Sequence, residues 1–226
     1  MPSEKNAERV VAIGGIPIME IPTRGRNIRI KIDAEGNVYL AIPSSASRSY
    51  AEKFALSKYD WIVAHRNEKL AKAESRKLPE GTIRLFGEAV EVVFVQSGKS
   101  AVEGGKAYVR TRSSAGEDTA KATDKFLRES LTAYISESLP VFAAKTGLKP
   151  ASWNLRNMKT RWGTCNSTAK KITFCTRLAE KPRDCIDYVI LHELAHLKYP
   201  NHGEQFKKFL SAYMPDWKNR RARLNE

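Results

Sequence analysis

Residues 27–32 (Asn-Ile-Arg-Ile-Lys-Ile) alternate strictly, with Ile28, Ile30 and Ile32 on one face, and predict a half-buried strand. Asp-Ala-Glu-Gly-Asn then turns the chain into 38–42, making a hairpin. Residues 82–86 and 89–95 flank Gly87-Glu88, a glycine-first pair suited to a two-residue hairpin, and 108–111 adds a further short strand. Glycine and serine mark 97–105 and 113–116 as loops. The apolar run 10–19 is short and interrupted by Gly14, Gly15 and Pro17. Helical spacing appears where Ser57 and Asp60 form a capping-box pair ahead of Tyr59, Trp61 and Ile62. It returns in the stripe Phe126, Leu127, Leu131, Tyr134, Ile135 and Leu139, which Pro140 should kink or end and Gly147 with Pro150 should stop. Strands are expected near 153–158 and 172–176. A helix follows from Pro182 with Ile186, Val189, Ile190 and Leu197 buried, then another carrying Phe206, Phe209, Leu210 and Tyr213. No internal repeat is evident. These elements predict an α+β fold, a small, mostly antiparallel sheet packed against the helix that opens near Pro182, with additional helices, preceded by a β-rich N-terminal region. The pattern changes near Thr119. The expected organisation is a hairpin-rich region with one helical segment at 1–118 and a second region at 119–226, or one continuous domain.

The chain of 226 residues is 42% hydrophobic, enough for a real core. Its three cysteines (Cys165, Cys175 and Cys185) form no CxxC pair, which fits a reducing compartment and argues against a zinc ribbon or disulfide framework. The run at 10–19 lacks the end of a signal peptide and is too short to span a bilayer, so the reading is a cytoplasmic protein with no membrane partner. The net charge is +14. From Lys145 to Arg183 ten basic residues face one acid, Glu180, and Lys218, Arg220, Arg221 and Arg223 close the chain. Such a field attracts anionic partners, including nucleic acid or nucleotides through the block 145–183, or serves solubility alone. No named nucleic-acid-binding module is present.

The chemistry concentrates at 192–202 (His-Glu-Leu-Ala-His-Leu-Lys-Tyr-Pro-Asn-His), which holds three of the four histidines. On a helix His192 and His196 lie one turn apart, about 40° from one another around the axis, so both imidazoles reach one ion. Glu193 is offset by about 100°, beside the metal rather than on it, where a carboxylate can take a proton from metal-activated water. A catalytic zinc commonly has three protein ligands. His202 is the favoured third, brought back by a turn at Pro200 and Asn201, and Glu204 is the competing ligand. Tyr199 stands where the HExxHxxGxxH pattern has glycine. His65, alone on an earlier helix, has a core or surface role.

Upstream lies Arg161-Trp162-Gly163-Thr164-Cys165. Arg161 offers a fixed, planar donor fork that could polarise a carbonyl or grip a carboxylate or phosphate, or pair with a surface acid. Gly163 permits a tight backbone turn towards the cleft. Nothing asks Cys165 to act as a nucleophile. This box, then Tyr188-Val189-Ile190-Leu191-His192-Glu193-Leu194-Ala195-His196, then His202 and Phe206, resembles the YgjP-like metallopeptidase family, related in active-site layout to SprT-like and Wss1-like zinc proteases. The resemblance is sharp over 120–226 and looser before it. It implies a zinc-dependent hydrolase binding one zinc ion through His192, His196 and His202, with Glu193 as general base. Family members often show Phe-Trp after the third histidine, whereas this chain has Phe206-Lys207.

The reading is therefore a zinc metallopeptidase cleaving polypeptide or another anionic substrate, with Glu193 and Arg161 catalytic. Two alternatives remain open. One is a metal-dependent nucleotide phosphohydrolase (a pyrophosphatase), and the other a nucleic-acid-associated protein with a structural zinc.

Overall fold

The computed structural model describes residues 9–113 and 115–224. The fold is α+β, and the chain divides into two compact units, one ending at Lys77 and the other beginning at Leu78. In the first unit β1 (Arg9–Ile13) and β2 (Ile16–Thr23) form an antiparallel hairpin whose turn is Gly14-Gly15, both at positive φ. The glycines that interrupt the apolar run are thus the turn of a strand pair. β3 (Arg29–Ile32) and β4 (Val38–Pro43) form the hairpin expected from alternation, and β2 pairs with β4 in parallel, giving the order β1-β2-β4-β3. Ile18, Val38 and Leu40 from this sheet meet Ala51 and Ala55 of α1 (Arg48–Ser57) and Ile62 of α2 (Tyr59–Arg76) in one core. The capping box at Ser57 does not form. Ser57 ends α1 and donates its hydroxyl to the Phe54 carbonyl, while the cap that does form is Ser47, accepting from the Tyr50 amide. His65 is half-buried on α2 and stacks on Trp61.

In the second unit β5 (Thr82–Leu85), β6 (Glu88–Val95), β7 (Ala101–Glu103) and β8 (Lys106–Arg110) take the order β5-β6-β8-β7. Outer pairs are antiparallel and the central pair parallel, as in the first sheet. One topology is thus used twice without visible sequence repetition, because strand order constrains alternation and turns but not residue identity. The β5–β6 turn is Phe86-Gly87, at φ of 52° and 95°, one residue earlier than Gly87-Glu88. Positive φ at both central residues suits the twist of a tight hairpin. β7 lies inside the stretch expected to be a loop.

The 31-residue α3 (Gly116–Thr146) runs through Pro140 and stops at Gly147, φ 70°. Leu131, Ile135 and Leu139 are buried along it, and this packing outweighs the backbone hydrogen bond that Pro140 cannot make. β9 (Ser152–Arg156), β10 (Gly163–Asn166) and β11 (Lys171–Cys175) form a third sheet in which β11 is central, antiparallel to β10 and parallel to β9. Across the three sheets antiparallel pairings outnumber parallel ones five to three among the described residues. A 3-10 turn, Thr176–Glu180, leads to α4 (Arg183–Ala195), then α5 (Glu204–Tyr213) and α6 (Trp217–Leu224). α4 is buried nearly all round, with Ile186, Ile190, Leu191 and Leu194 each at 0% exposure, so it is the central rod of this unit.

The division falls at 77/78 rather than 118/119. Phe126 of α3 packs against Leu85, Val90, Ala107 and Val109, and the Phe86 amide donates to the Ala179 carbonyl at 2.7 Å. These contacts tie β5–β8 to the unit that holds α4. Among the described residues no helix is long and apolar enough to cross a membrane.

Candidate metal centre and active site

α4 delivers His192 and Glu193, and its C-cap residue is His196, still in right-handed helical conformation at φ −68° and ψ −14°. The one-turn spacing of the two imidazoles survives although the helix ends at Ala195. The following amides tighten the end of the helix, Leu197 N donating to Leu194 O and Tyr199 N to Ala195 O, and the chain then brings His202 back. His196 Nε2 and His202 Nε2 stand 3.2 and 3.0 Å from His192 Nε2. Three nitrogens held 2.0–2.1 Å from one ion in tetrahedral directions would be roughly 3.3 Å apart. Glu204 heads α5, exposed and paired with Lys208 at 2.8 Å, outside the group formed by the three histidines.

The outer nitrogen of His196 fixes its tautomer. His196 Nδ1 lies 3.0 Å from the Tyr199 carbonyl, which can only accept, so Nδ1 carries the proton and Nε2 presents its lone pair inward. His192 Nδ1 lies 3.2 Å from the Tyr188 hydroxyl, which accepts its proton when Nε2 presents the lone pair to the cluster. Burial, with the neighbouring His196, His202 and Arg221 charges, pushes His192 down to about 3, so its imidazole is neutral. His202 is lowered by the same kind of causes, burial first. Phe206 closes the back, its ring 4.8–4.9 Å from all three imidazole centroids and 2% exposed. Three Nε2 atoms within ligand reach of one point and an apolar backing fit a divalent metal ion.

Glu193 is 4% exposed, and its Oε2 has no hydrogen-bond partner among the described residues. Burial pushes its carboxyl up to about 8, against the opposing pull of Arg161. Gly163 explains how the carboxylate fits: a Cβ there would stand 2.5 Å from Glu193 Oε1 and 2.7 Å from its Cδ. The glycine is therefore required by close approach, where the sequence suggested a turn. Gly163 begins β10, the edge strand beside the histidines.

A cleft of about 770 Å³ surrounds these groups and brings in Arg161, Cys165, Tyr188 and Arg221. Arg161 is exposed at the cleft wall, where its charge acts on Glu193. Burial and then the Glu193 charge push the Cys165 thiol up to about 11, so it stays protonated and is no nucleophile. Trp162 is half-buried, with Arg177 and Lys181 over its ring at 5.0 and 5.2 Å. Tyr188, Arg221 and the Tyr199 carbonyl are the parts that sequence reasoning missed. Arg221 was visible only as one charge in a basic tail. Tyr188 stands four residues before His192, a spacing that marks helical neighbours.

The family model described as "YgjP-like, metallopeptidase domain" matches residues 26–226. Comparison with curated proteins returns no match. Among solved structures, the metallopeptidase zymogen abylysin of Pyrococcus abyssi is 20% identical, with 40% of this chain and 90% of that one covered and a TM-score of 0.38. The zymogen of Methanocaldococcus jannaschii jannalysin is also 20% identical, over 40% of this chain and 92% of that one, with a TM-score of 0.36.

Proposed function

The chain belongs to the YgjP-like family of metallopeptidases, and from that membership we propose that it hydrolyses peptide bonds with one zinc ion held by His192, His196 and His202 and with Glu193 as general base. The observation that carries the reading is the pairing of three inward Nε2 atoms with a buried, unbonded carboxylate oxygen on the same helix. A zinc ion held there would supply Lewis acidity, which lowers the pKa of water towards about 7. Glu193 takes the proton of the attacking water through its unbonded oxygen and returns it to the leaving nitrogen. Gly163 lets that carboxylate lie flat against β10. Tyr188 and the Tyr199 carbonyl hold the imidazoles in the tautomer that binds metal. Arg161 donates to the oxygen on which negative charge develops. β10 is a sheet edge along the cleft, and an extended polypeptide can pair with it through backbone hydrogen bonds.

A second reading, hydrolysis of a nucleotide phosphoanhydride, is favoured by two arginines in the cleft wall. Offering zinc-loaded protein an unstructured polypeptide and a nucleoside triphosphate side by side separates the two. The proposal expects new peptide termini and intact triphosphate. Loss of triphosphate with polypeptide uncut overturns it.

A further inference from the structure

Asp118, Lys121, Ala122, Lys125, Phe126 and Glu129 follow one another at helical spacing along α3 and form one wall of a groove of about 650 Å³. The facing wall is the turn between β6 and β7, with Lys99 and Ser100, and the segment 110–112 that leaves β8. That wall is fixed by hydrogen bonds. The Arg110 amide donates to Ser100 Oγ at 2.9 Å, the Thr111 amide to the Val95 carbonyl at 2.9 Å, and the Thr111 hydroxyl to the Ser113 carbonyl at 2.8 Å. Buried Thr111 is thus an anchor with an exposed arginine on either side. None of these residues lines the histidine cleft, although groove and cleft lie in the same unit, the one that begins at Leu78.

Five cations face this groove against two carboxylates. On the helix wall Lys121 is paired with Glu117, which lies outside the groove, and Lys125 stands 3.7 Å from Glu129. On the facing wall no carboxylate among the described residues pairs with Lys99, Arg110 or Arg112. Charge of one sign around a concave surface concentrates the field and draws in an anion. Two of these cations are guanidinium groups, whose planar forks fit carboxylate oxygens. The shape of the groove suits a peptide. Asp118 and Glu129 close its helix wall at the two ends, roughly 16 Å apart along the axis. An extended polypeptide covers that length in about five residues. An acidic run of this size can give way to neutral or basic residues where the two carboxylates stand, whereas a nucleic-acid backbone stays negative throughout. A nucleic acid would also find no exposed ring to stack on, since Phe126, the one aromatic side chain in the lining, is 4% exposed.

Resting on the peptidase reading of the histidine cleft, we propose that this groove docks an acidic segment of the polypeptide substrate, a run of about five glutamates or aspartates, while another part of the same chain enters the cleft. Arg110 and Arg112 take its carboxylates in their donor forks, and Lys99 adds to the field that attracts them. The groove selects which polypeptides are held, and the cleft does the chemistry.

Docking is measured apart from cutting. Glu193→Gln protein is titrated with a fluorescently labelled peptide carrying a glutamate run, with its glutamine counterpart, and with a single-stranded oligonucleotide of equal charge. The titrations are repeated with Arg110→Gln and Arg112→Gln combined, and with Lys149→Gln and Lys171→Gln, which remove equal charge from exposed positions outside the groove. The expected result is roughly tenfold or greater preference for the glutamate peptide at low salt, weakening as salt rises. The arginine pair should abolish that preference and the lysine pair should leave it intact. If the arginine pair lowers the melting temperature, Lys99→Gln supplies a milder version of the same readout. In native zinc-loaded protein, adding the glutamate run to a cleavable peptide should lower KM several-fold with kcat unchanged. Equal binding of the two peptides overturns the inference, as does a preference that survives the arginine pair in full. An oligonucleotide held more tightly than the glutamate peptide by the same arginines would overturn it too, by making the groove a nucleic-acid site. Cleavage of polypeptide without any such preference would sink the inference and spare the peptidase reading. Arginine-dependent docking on a protein that cuts no polypeptide would do the reverse.

Discussion

At Gly163 a methyl group would occupy the space already filled by the Glu193 carboxyl, so Gly163→Ala should push the general base aside without touching a histidine. Displacements of about 1 Å can cost 100-fold in rate. Turnover should fall by roughly that factor while zinc stoichiometry stays at the native value, and unchanged turnover would show that Glu193 is not held by this contact. The titration of the same carboxyl has a separate consequence for metal-free protein. Glu193 is held at about 8 against an ordinary 4.5, so the folded state keeps a proton that the unfolded state releases. Stability must therefore fall as pH rises from about 4.5 to 8, by an amount on the order of a few kcal/mol. His192 acts in the opposite sense: held at about 3 against 6.5, it costs stability as pH falls through that window. Urea midpoints measured against pH should show the alkaline loss in metal-free native protein and a much flatter limb in Glu193→Gln. Equal slopes in the two would contradict the assignment.

Among the elements, the β5–β6 turn is the most constrained. Gly87 sits at φ 95° with Pro182, the residue that opens α4, where its Cβ would be: 2.9 Å to Cγ and 3.2 Å to Cα. Gly87→Ala should cost about 1–3 kcal/mol through backbone strain and this contact, read as a lowered melting temperature. A loss below a few tenths would mean that the turn relaxes freely. The same turn shows how far a sequence reading reaches. Alternation and glycine announced the hairpin, but which two residues turn depended on Leu85 pairing with Glu88, a register that local pattern leaves open by one. HExxH was legible because its geometry is a property of one helix. His202 was legible through the break that Pro200 provides. β10 was hidden because Gly163–Asn166 has neither alternation nor length, and it exists through its pairing with β11. The direction in which Arg221 points was hidden too, since it follows from Trp217 and Leu224 docking rather than from anything within α6.

For the molecule as a whole, charge and fold serve one site. Part of the basic block 145–183 is committed to aromatic rings: Arg177 and Lys181 to Trp162, Arg183 to Phe86 at 4.4 Å. Around α4 the second unit gathers β10, α5 and α6, supplying an edge strand, an aromatic backing and an arginine to three histidines and one carboxylate. Everything then depends on Glu193 as a base rather than a structural acid. The direct measurement is cleavage of an unstructured polypeptide by zinc-loaded native protein and by Glu193→Gln at equal zinc content. The account predicts equal metal binding and a loss of cleavage of at least about 100-fold in the variant. Full cleavage by Glu193→Gln would contradict it.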